Sequence, residues 1–329
     1  MQAIVLVGGE GTRLRPLTND VPKPALTLVD RPFLAYMVEW LAAHGVTEAV
    51  LACGFLPDVL REALGEEAHS GVRLTYVTEP DRRGTAGAIR FAADALGGRL
   101  DDRFLALNGD VLTDLDLSAL IRAHEERGGS ATIALYPVED SAAYGLVSVA
   151  KDGDVTAFVE KTGEQVPGEI NAGAYLLERS VLDLIPPDRE VSIEREVFPR
   201  LIGEGLGALR LDGYWMDIGT PERYLQASWD ILEGRVKTQV RPTAPGLFVG
   251  PGAEVDEGAS VGPRAVLSPG CRVAAGARVS GSVLLEGCAL GPGATVTDSI
   301  LGNGVAVAAE AELAGAIVGS NERVPSEPE

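Results

Sequence analysis

Along the first two-thirds of the chain, short apolar runs alternate with stretches whose apolar residues recur every three to four positions. The runs predict strands at residues 3–7, 48–52, 73–77 and 104–107. The longer-period stretches predict helices at residues 33–44, 58–64 and 86–96, the first stopped by Gly45. This order predicts an α/β fold, with a Rossmann-like, mainly parallel sheet flanked by helices on both faces. Ligands of such sheets bind beyond the carboxyl ends of the strands. The residues that follow each strand are therefore the first candidates for chemistry. No apolar run is long enough to span a bilayer. The run Ile4-Val5-Leu6-Val7 is too short, and lacks the basic lead, to be a signal segment. The expected location is the cytoplasm.

From about Val236 the helical periodicity stops. The stretch Arg241-Pro242-Thr243-Ala244-Pro245 reads as a linker, and a six-residue rhythm begins after it. Apolar residues recur at Val255, Val261, Leu267, Val273 and Val279, and small ones two positions earlier at Ala253, Ala259, Cys271 and Ala277. Gly252, Gly258, Gly270 and Gly276 take the turn positions. A longer period is laid over this one: Ser282-Val283-Leu284, Ser299-Ile300-Leu301 and Ala316-Ile317-Val318 are spaced by 17 residues. Three short strands per coil account for both periods, with stacked coils burying one continuous core. The pattern resembles the hexapeptide repeats of left-handed parallel β-helices. The expected organisation is an α/β domain over residues 1–235, a linker over 236–245, a β-helix over 246–319 and a disordered tail over 320–329. The apolar rungs and open strand edges predict a homo-oligomer.

The formal charge of −20 excludes nucleic acid and anionic membranes as expected partners. It also means that any anion site must be locally basic, so clustered Arg and Lys carry unusual weight here. Cys53, Cys271 and Cys288 fit neither a metal spacing nor a disulfide framework. His44, His69 and His124 fall in segments that read as helix ends and loops, away from other metal-ligating residues. β-Helices of this repeat type often transfer acyl groups with a His as general base. No histidine follows His124, so the repeat domain reads as an assembly and stability element.

The strongest chemical signal follows the first strand: Gly8-Gly9-Glu10-Gly11-Thr12-Arg13-Leu14-Arg15, then Pro22-Lys23-Pro24. Glycines let backbone N–H groups approach phosphate oxygens. Arg13 and Arg15 add forked donors, and Lys23 adds a point charge. The Walker pattern is absent, and Leu14 stands where a dinucleotide fingerprint needs its third glycine. Two carboxylates complete the pattern: Asp110, in Asn108-Gly109-Asp110 at a strand end, and Asp217, in Met216-Asp217-Ile218-Gly219-Thr220-Pro221 before a helix. Mg²⁺ suits one or two carboxylates together with phosphate oxygens.

With these residues the segment from about Ala3 to Leu232 resembles the sugar-1-phosphate nucleotidylyltransferases, whose signature is a Gly-Gly-x-Gly-Thr-Arg-Leu loop followed by Pro-Lys-Pro. The resemblance implies transfer of a nucleotidyl group from a nucleoside triphosphate to a sugar 1-phosphate. It assigns Gly8, Gly9, Gly11, Thr12, Arg13, Glu79, Gly84, Thr85 and Asn108 to the nucleotide. Lys23 goes to the reacting phosphates, and Asp110 and Asp217 to Mg²⁺. Tyr144, Gly145, Glu160, Lys161 and Asn171 go to the sugar phosphate.

The stretch Glu79-Pro80-Asp81-Arg82-Arg83-Gly84-Thr85-Ala86-Gly87-Ala88 carries the choice of base. In the thymidylyl and uridylyl branches it usually begins with Gln and continues Leu-Ala-Gln-Ala after the glycine. Here it looks like the mannose-1-phosphate guanylyl branch, implying GTP. Guanine presents two neighbouring N–H donors that one carboxylate can accept, whereas uracil and thymine flank a single donor with carbonyls. A thymidylyl- or uridylyltransferase acting on glucose 1-phosphate, and a non-catalytic subunit that binds a nucleotide sugar, remain open at this point.

Overall fold

The computed structural model describes residues 1–66, 70–159 and 163–326. Two compact units are present. One comprises Met1–Gly9 and Met37–Trp215, the other Glu10–Tyr36 and Met216–Glu329. Phe33–Ala43 forms α1.

The first unit is built on a nine-stranded sheet. Its strands are β1 (Gln2–Val7), β2 (Glu48–Cys53), β3 (Arg73–Thr78), β4 (Arg103–Asn108), β5 (Ala131–Val138), β6 (Leu146–Val149), β7 (Val155–Val159), β8 (Gly168–Glu178) and β9 (Leu206–Arg210). The order β4-β1-β2-β3 is parallel throughout. Strands with both faces covered read as unbroken apolar runs, and Ala3, Ile4 and Val5 of β1 are fully buried. Beyond β4 the sheet turns antiparallel, through β8 to β5 and β6. It is therefore a mixed sheet: parallel from β4 to β3, as the βα alternation announced, antiparallel around β8, and parallel again where β9 pairs with β5.

Helices α2 (Pro57–Leu64), α3 (Gly84–Ala95) and α4 (Leu117–Arg127) complete this unit's main elements. Asp116 caps α4 by accepting from Ala119 N at 3.0 Å, and Gly128, with φ 72°, ends it. The core gathers Ile4, Ile89, Phe104, Ile133, Tyr175 and Phe198. His124, fully buried, meets Thr132 Oγ1 at 2.8 Å and Glu178 Oε1 at 3.1 Å, so it is a structural histidine. His44 bonds Ser118 at 2.8 Å. His69 lies outside the described residues.

In the second unit, α5 (Pro221–Leu232) starts on Thr220, whose hydroxyl accepts from Arg223 N at 3.4 Å. Proline at its first turn has no amide left to satisfy. Residues 247–324 then wind into three parallel ladders of two- and three-residue strands, consistent with a left-handed parallel β-helix. Leu247 pairs with Ala265, which pairs with Ser282, so the first coil has one residue more than the next. Equivalent residues stack inward: Ala277, Ala294 and Ala311 in one column and Leu267, Leu284 and Leu301 in another, all fully buried. A hydroxyl ladder holds one corner, where Ser299 N donates to Ser282 Oγ at 3.1 Å and Ala316 N to Ser299 Oγ at 2.9 Å.

The repeat runs past the expected end at Gly319. Arg323 and Val324 form a strand paired with Ala306 and Val307, so residues up to Val324 are a further part-coil where a disordered tail was expected. Among the described residues, no helix is long and apolar enough to cross a membrane.

The small-residue column predicts that Ala294→Leu, which forces extra methylenes between stacked coils, destabilises the protein by about 1–3 kcal/mol. Chemical denaturation followed by circular dichroism measures it; an unchanged midpoint would contradict the stacking.

Candidate active site

In the first unit, the carboxyl ends of three adjacent parallel strands come level. Val7 of β1 pairs with Cys53 of β2, which pairs with Thr78 of β3. The next residues in line are Gly8, Gly54 and Glu79. A methyl group on Gly54 would stand 2.7 Å from the Gly8 carbonyl oxygen, and one on Gly8 would stand 3.6 Å from Glu79 Oε1. Two bare backbones thus form a floor, and the Glu79 carboxylate stands beside it. Glu79 N donates to the Cys53 carbonyl at 2.8 Å, fixing the start of its loop. Burial raises the Glu79 carboxyl above its usual range, with Arg83 opposing. Burial, then Glu79, push the Cys53 thiol up to about 12, so this cysteine is inert.

The fourth parallel strand ends the same way. Gly109 N donates to the Leu6 carbonyl at 2.9 Å, and a methyl there would meet Val7 Cγ1 at 2.5 Å. Only glycine fits, and it sets Asn108 and Asp110 on either side of the strand end. Asn108 packs on Gly173, whose φ of 72° sits in a bulge of β8; a Gly173 methyl would lie 2.8 Å from Asn108 Nδ2.

That bulge organises a polar cluster. Asn171 Nδ2 donates to Tyr175 OH at 2.8 Å, Gly173 N donates to Asn171 Oδ1 at 2.9 Å, and Asn171 N donates to the Gly145 carbonyl at 2.9 Å. Trp215 Nε1 donates to the Ala172 carbonyl at 2.8 Å, and the Trp215 ring meets Tyr144 edge-on at 5.2 Å and Tyr136 stacked at 5.7 Å. Tyr144, Gly145 and Asn171 are therefore brought together. Glu160 and Lys161 lie outside the described residues.

Gly84 and Thr85 serve the scaffold. A methyl on Gly84 (φ 66°) would strike the Val191 carbonyl at 2.6 Å. Thr85 Oγ1 donates to Glu194 Oε2 and accepts from Ile193 N, both at 2.8 Å. These contacts tie the start of α3 to residues 191–194. They give the glycine and the threonine a structural reason, beside the nucleotide contact that the resemblance implies.

In the second unit, the signature loop is a knot of short bonds. Leu14 N donates to the Gly11 carbonyl at 2.9 Å, and Thr18 Oγ1 donates to the same carbonyl at 2.9 Å. Gly11 has φ 62°, and a methyl on it would press Lys23 Cβ at 3.1 Å. Thr12 and Arg13 lie exposed on this turn. Three cations converge on the turn Asp217-Ile218-Gly219. Lys23, only 8% exposed, places Nζ 3.8 Å from Asp217 Oδ1. Arg223 Nη1 lies 3.3 Å from Asp217 Oδ2. A methyl on Gly219 would stand 2.7 Å from Arg13 Nη2, so the guanidinium rests against bare backbone. Sequence reading missed Gly54, Gly219, Arg223 and Trp215. Arg223 had a usable signal, as a cation in the first turn of the helix that follows Asp217.

Residues 2–234 match the nucleotidyl transferase family, and the chain belongs to it. Residues 243–327 match the GMPPB C-terminal domain. Similar proteins include a mannose-1-phosphate guanylyltransferase of Mycobacterium tuberculosis, 40% identical over 239 residues, covering 71% of this chain and 65% of that protein. A probable mannose-1-phosphate guanylyltransferase 1 of Oryza sativa subsp. japonica is 43% identical over 228 residues, covering 68% of this chain and 63% of that one. The match thus spans a little under two thirds of these two relatives' lengths. Among solved structures, HddC from Yersinia pseudotuberculosis superposes with a TM-score of 0.61 at 29% identity, covering 70% of this chain and 99% of its own. The same protein has also been solved complexed with GMP-PN.

The strand-end floor predicts that Gly54→Ala, which must push the Gly8 backbone aside, lowers kcat/KM for the nucleotide by roughly tenfold or more. Steady-state kinetics checks it; a variant with wild-type kcat/KM would show that the loop does not depend on that approach.

Proposed function

We propose that the protein is a mannose-1-phosphate guanylyltransferase, converting GTP and mannose 1-phosphate to GDP-mannose and pyrophosphate. The observation that carries this reading is the convergence of Arg13, Lys23 and Arg223 on Asp217–Gly219 in a chain of charge −20. Lys23 and Arg223 flank the Asp217 carboxylate and Arg13 lies against Gly219, so basic groups gather on one turn, which is what a polyphosphate needs. The names of the relatives support the choice of substrates.

An oxygen of the sugar phosphate attacks the α-phosphorus of GTP. One P–O bond forms, the bond to the bridging oxygen of the β-phosphate breaks, and pyrophosphate leaves with that oxygen. The attacking oxygen is already anionic at neutral pH, so alignment and charge stabilisation carry the catalysis. Arg13 and Lys23 hold the triphosphate. Gly9 supports close approach of the ligand: a methyl there meets nothing within 4 Å, so no packing demand of the fold explains the glycine. Glu79 accepts from the two N–H donors of guanine. Tyr144, Gly145 and Asn171, with Glu160 and Lys161, take the sugar phosphate.

Asp110 and Asp217 fit a hard divalent cation, Mg²⁺ by preference. Both are oxygen donors, and the described residues include no cluster of three or more His, Cys, Asp or Glu. Mg²⁺ asks for only one or two carboxylates when phosphates supply the rest. Held by these carboxylates, such a cation would supply positive charge that eases nucleotidyl transfer and the departure of pyrophosphate.

Pyrophosphate release measured for four nucleoside triphosphates against mannose 1-phosphate and glucose 1-phosphate, with Mg²⁺, tests the reading. A maximum for GTP with mannose 1-phosphate is expected. A maximum for dTTP or UTP with glucose 1-phosphate would overturn the substrates, and silence throughout would favour a regulatory subunit.

Glu79→Gln should raise KM for GTP by about tenfold, through loss of one charge-assisted acceptor, and leave the other triphosphates within about twofold. Its pH profile follows from the raised carboxyl. Binding guanine consumes the ionised form, and the folded protein holds the proton to higher pH than an ordinary glutamate does. Relative to Glu79→Gln, wild-type GTP affinity should therefore start to fall on acidification above the usual carboxylate range. Parallel profiles for the two proteins would remove Glu79 from the base site.

A further inference from the structure

The last corner of the β-helix touches the signature loop. Gly319 follows the strand Ile317–Val318, and a methyl group on it would stand 3.3 Å from Pro16 Cβ. Its φ lies outside the left-handed region, so backbone conformation does not demand a glycine there. Space does. The side on which a Cβ would sit faces Pro16 and the Glu322 carboxylate, whose Oε1 would be 2.3 Å away. Glu322 can swing aside; a proline ring cannot.

Both faces of this contact are stiff. On the β-helix side, Gly302 N donates to the Val318 carbonyl at 2.9 Å and Asn321 N donates to the Asn303 carbonyl at 2.7 Å. On the loop side, Pro16 is geared to its neighbours. Arg15 N donates to the Thr12 carbonyl at 3.3 Å, Leu17 N to the Leu14 carbonyl at 3.1 Å, and Asn19 N to the Pro16 carbonyl at 3.1 Å. Arg15 Nη2 pairs with Glu10 Oε2 at 3.2 Å, and Leu14, Leu17 and Thr18 are buried. A push on Pro16 therefore moves Gly11–Leu14 as a body, and Arg13 rides on that body.

We propose that the terminal coil of the β-helix is a positioning wall for the triphosphate loop, with Gly319 as the positioning residue that sets where Arg13 stands. The repeat domain then contributes to nucleotide affinity from within the same chain, in addition to any role in assembly. The glycine keeps the wall clear of Pro16: a Cβ at 3.3 Å would press on the ring, and a longer side chain would press harder.

Gly319→Leu tests this by two readouts in the full chain. The first is hydrogen exchange of a peptide covering residues 10–20. The amides of Leu14, Arg15 and Leu17 should exchange roughly tenfold faster in the variant, as expected when a packed turn loses its support. The second is kinetic and rests on the nucleotidyl-transfer reading. KM for GTP should rise about fivefold or more, since small displacements of a positioning group are costly, while KM for the sugar phosphate stays within about twofold. Pro16→Ala, which removes the ring, should recover most of the loss when combined with Gly319→Leu. If Gly319→Leu does not fold, Gly319→Ala should give smaller changes of the same kind. Unchanged exchange, an equal rise in both KM values, or a strictly additive double variant would each overturn the proposal. A wild-type protein that turns over no substrate pair would sink the functional reading instead, and the exchange measurement would still decide the mechanical link.

Discussion

The first unit depends on one steric constraint, the approach of neighbouring backbones at the carboxyl ends of its parallel strands. Gly8, Gly54 and Gly109 each follow the last residue of a strand, and the last two have no room for a single methyl group. Bare backbone at these places does two things. It lets the loops after β1 and β2 lie against each other, and it leaves the Glu79 carboxylate standing beside a floor with no side chains on it. The glycines cost conformational entropy on folding. The return is a surface of bare backbone with the Glu79 carboxylate already beside it.

The second unit solves an electrostatic problem. A chain with 48 acidic and 28 basic residues repels anions on average. Arg13, Lys23 and Arg223 reverse that locally by gathering on one turn. Burying Lys23 is costly, and the Asp217 carboxylate 3.8 Å away offsets part of the cost. With Arg223 on its other oxygen, Asp217 is held in place by two cations. Charge held in place in this way needs little rearrangement to meet an anion.

Much of this was legible in the sequence because it is local. The run Ile4–Val7 followed by Gly8-Gly9, the alternation of strands and helices, and the six-residue rhythm are all patterns within a few residues of one another. What escaped notice is pairwise and distant. Nothing near Gly54 in sequence says that it lies against Gly8, and Gly219 shows its need for glycine only when Arg13 is laid against it. The scaffold role of Gly84 and Thr85 was hidden for the same reason: their partners are residues 191–194, far along the chain. The antiparallel half of the sheet was hidden because β5 to β8 lack the helices that announce parallel neighbours. The last part-coil was hidden because Arg323 and Val324 follow a polar, turn-like stretch, and pairing with Ala306 and Val307 decides their state.

The central claim is that the cations on the Asp217–Gly219 turn receive a metal-bound triphosphate. Isothermal titration of a non-hydrolysable GTP analogue, with and without Mg²⁺, into wild-type protein and Arg13→Ala tests it most directly. Tighter binding with Mg²⁺ in the wild type, falling by roughly tenfold or more in Arg13→Ala, is the predicted result for a lost charge-assisted phosphate contact. Binding that ignores both Mg²⁺ and Arg13 would contradict the account.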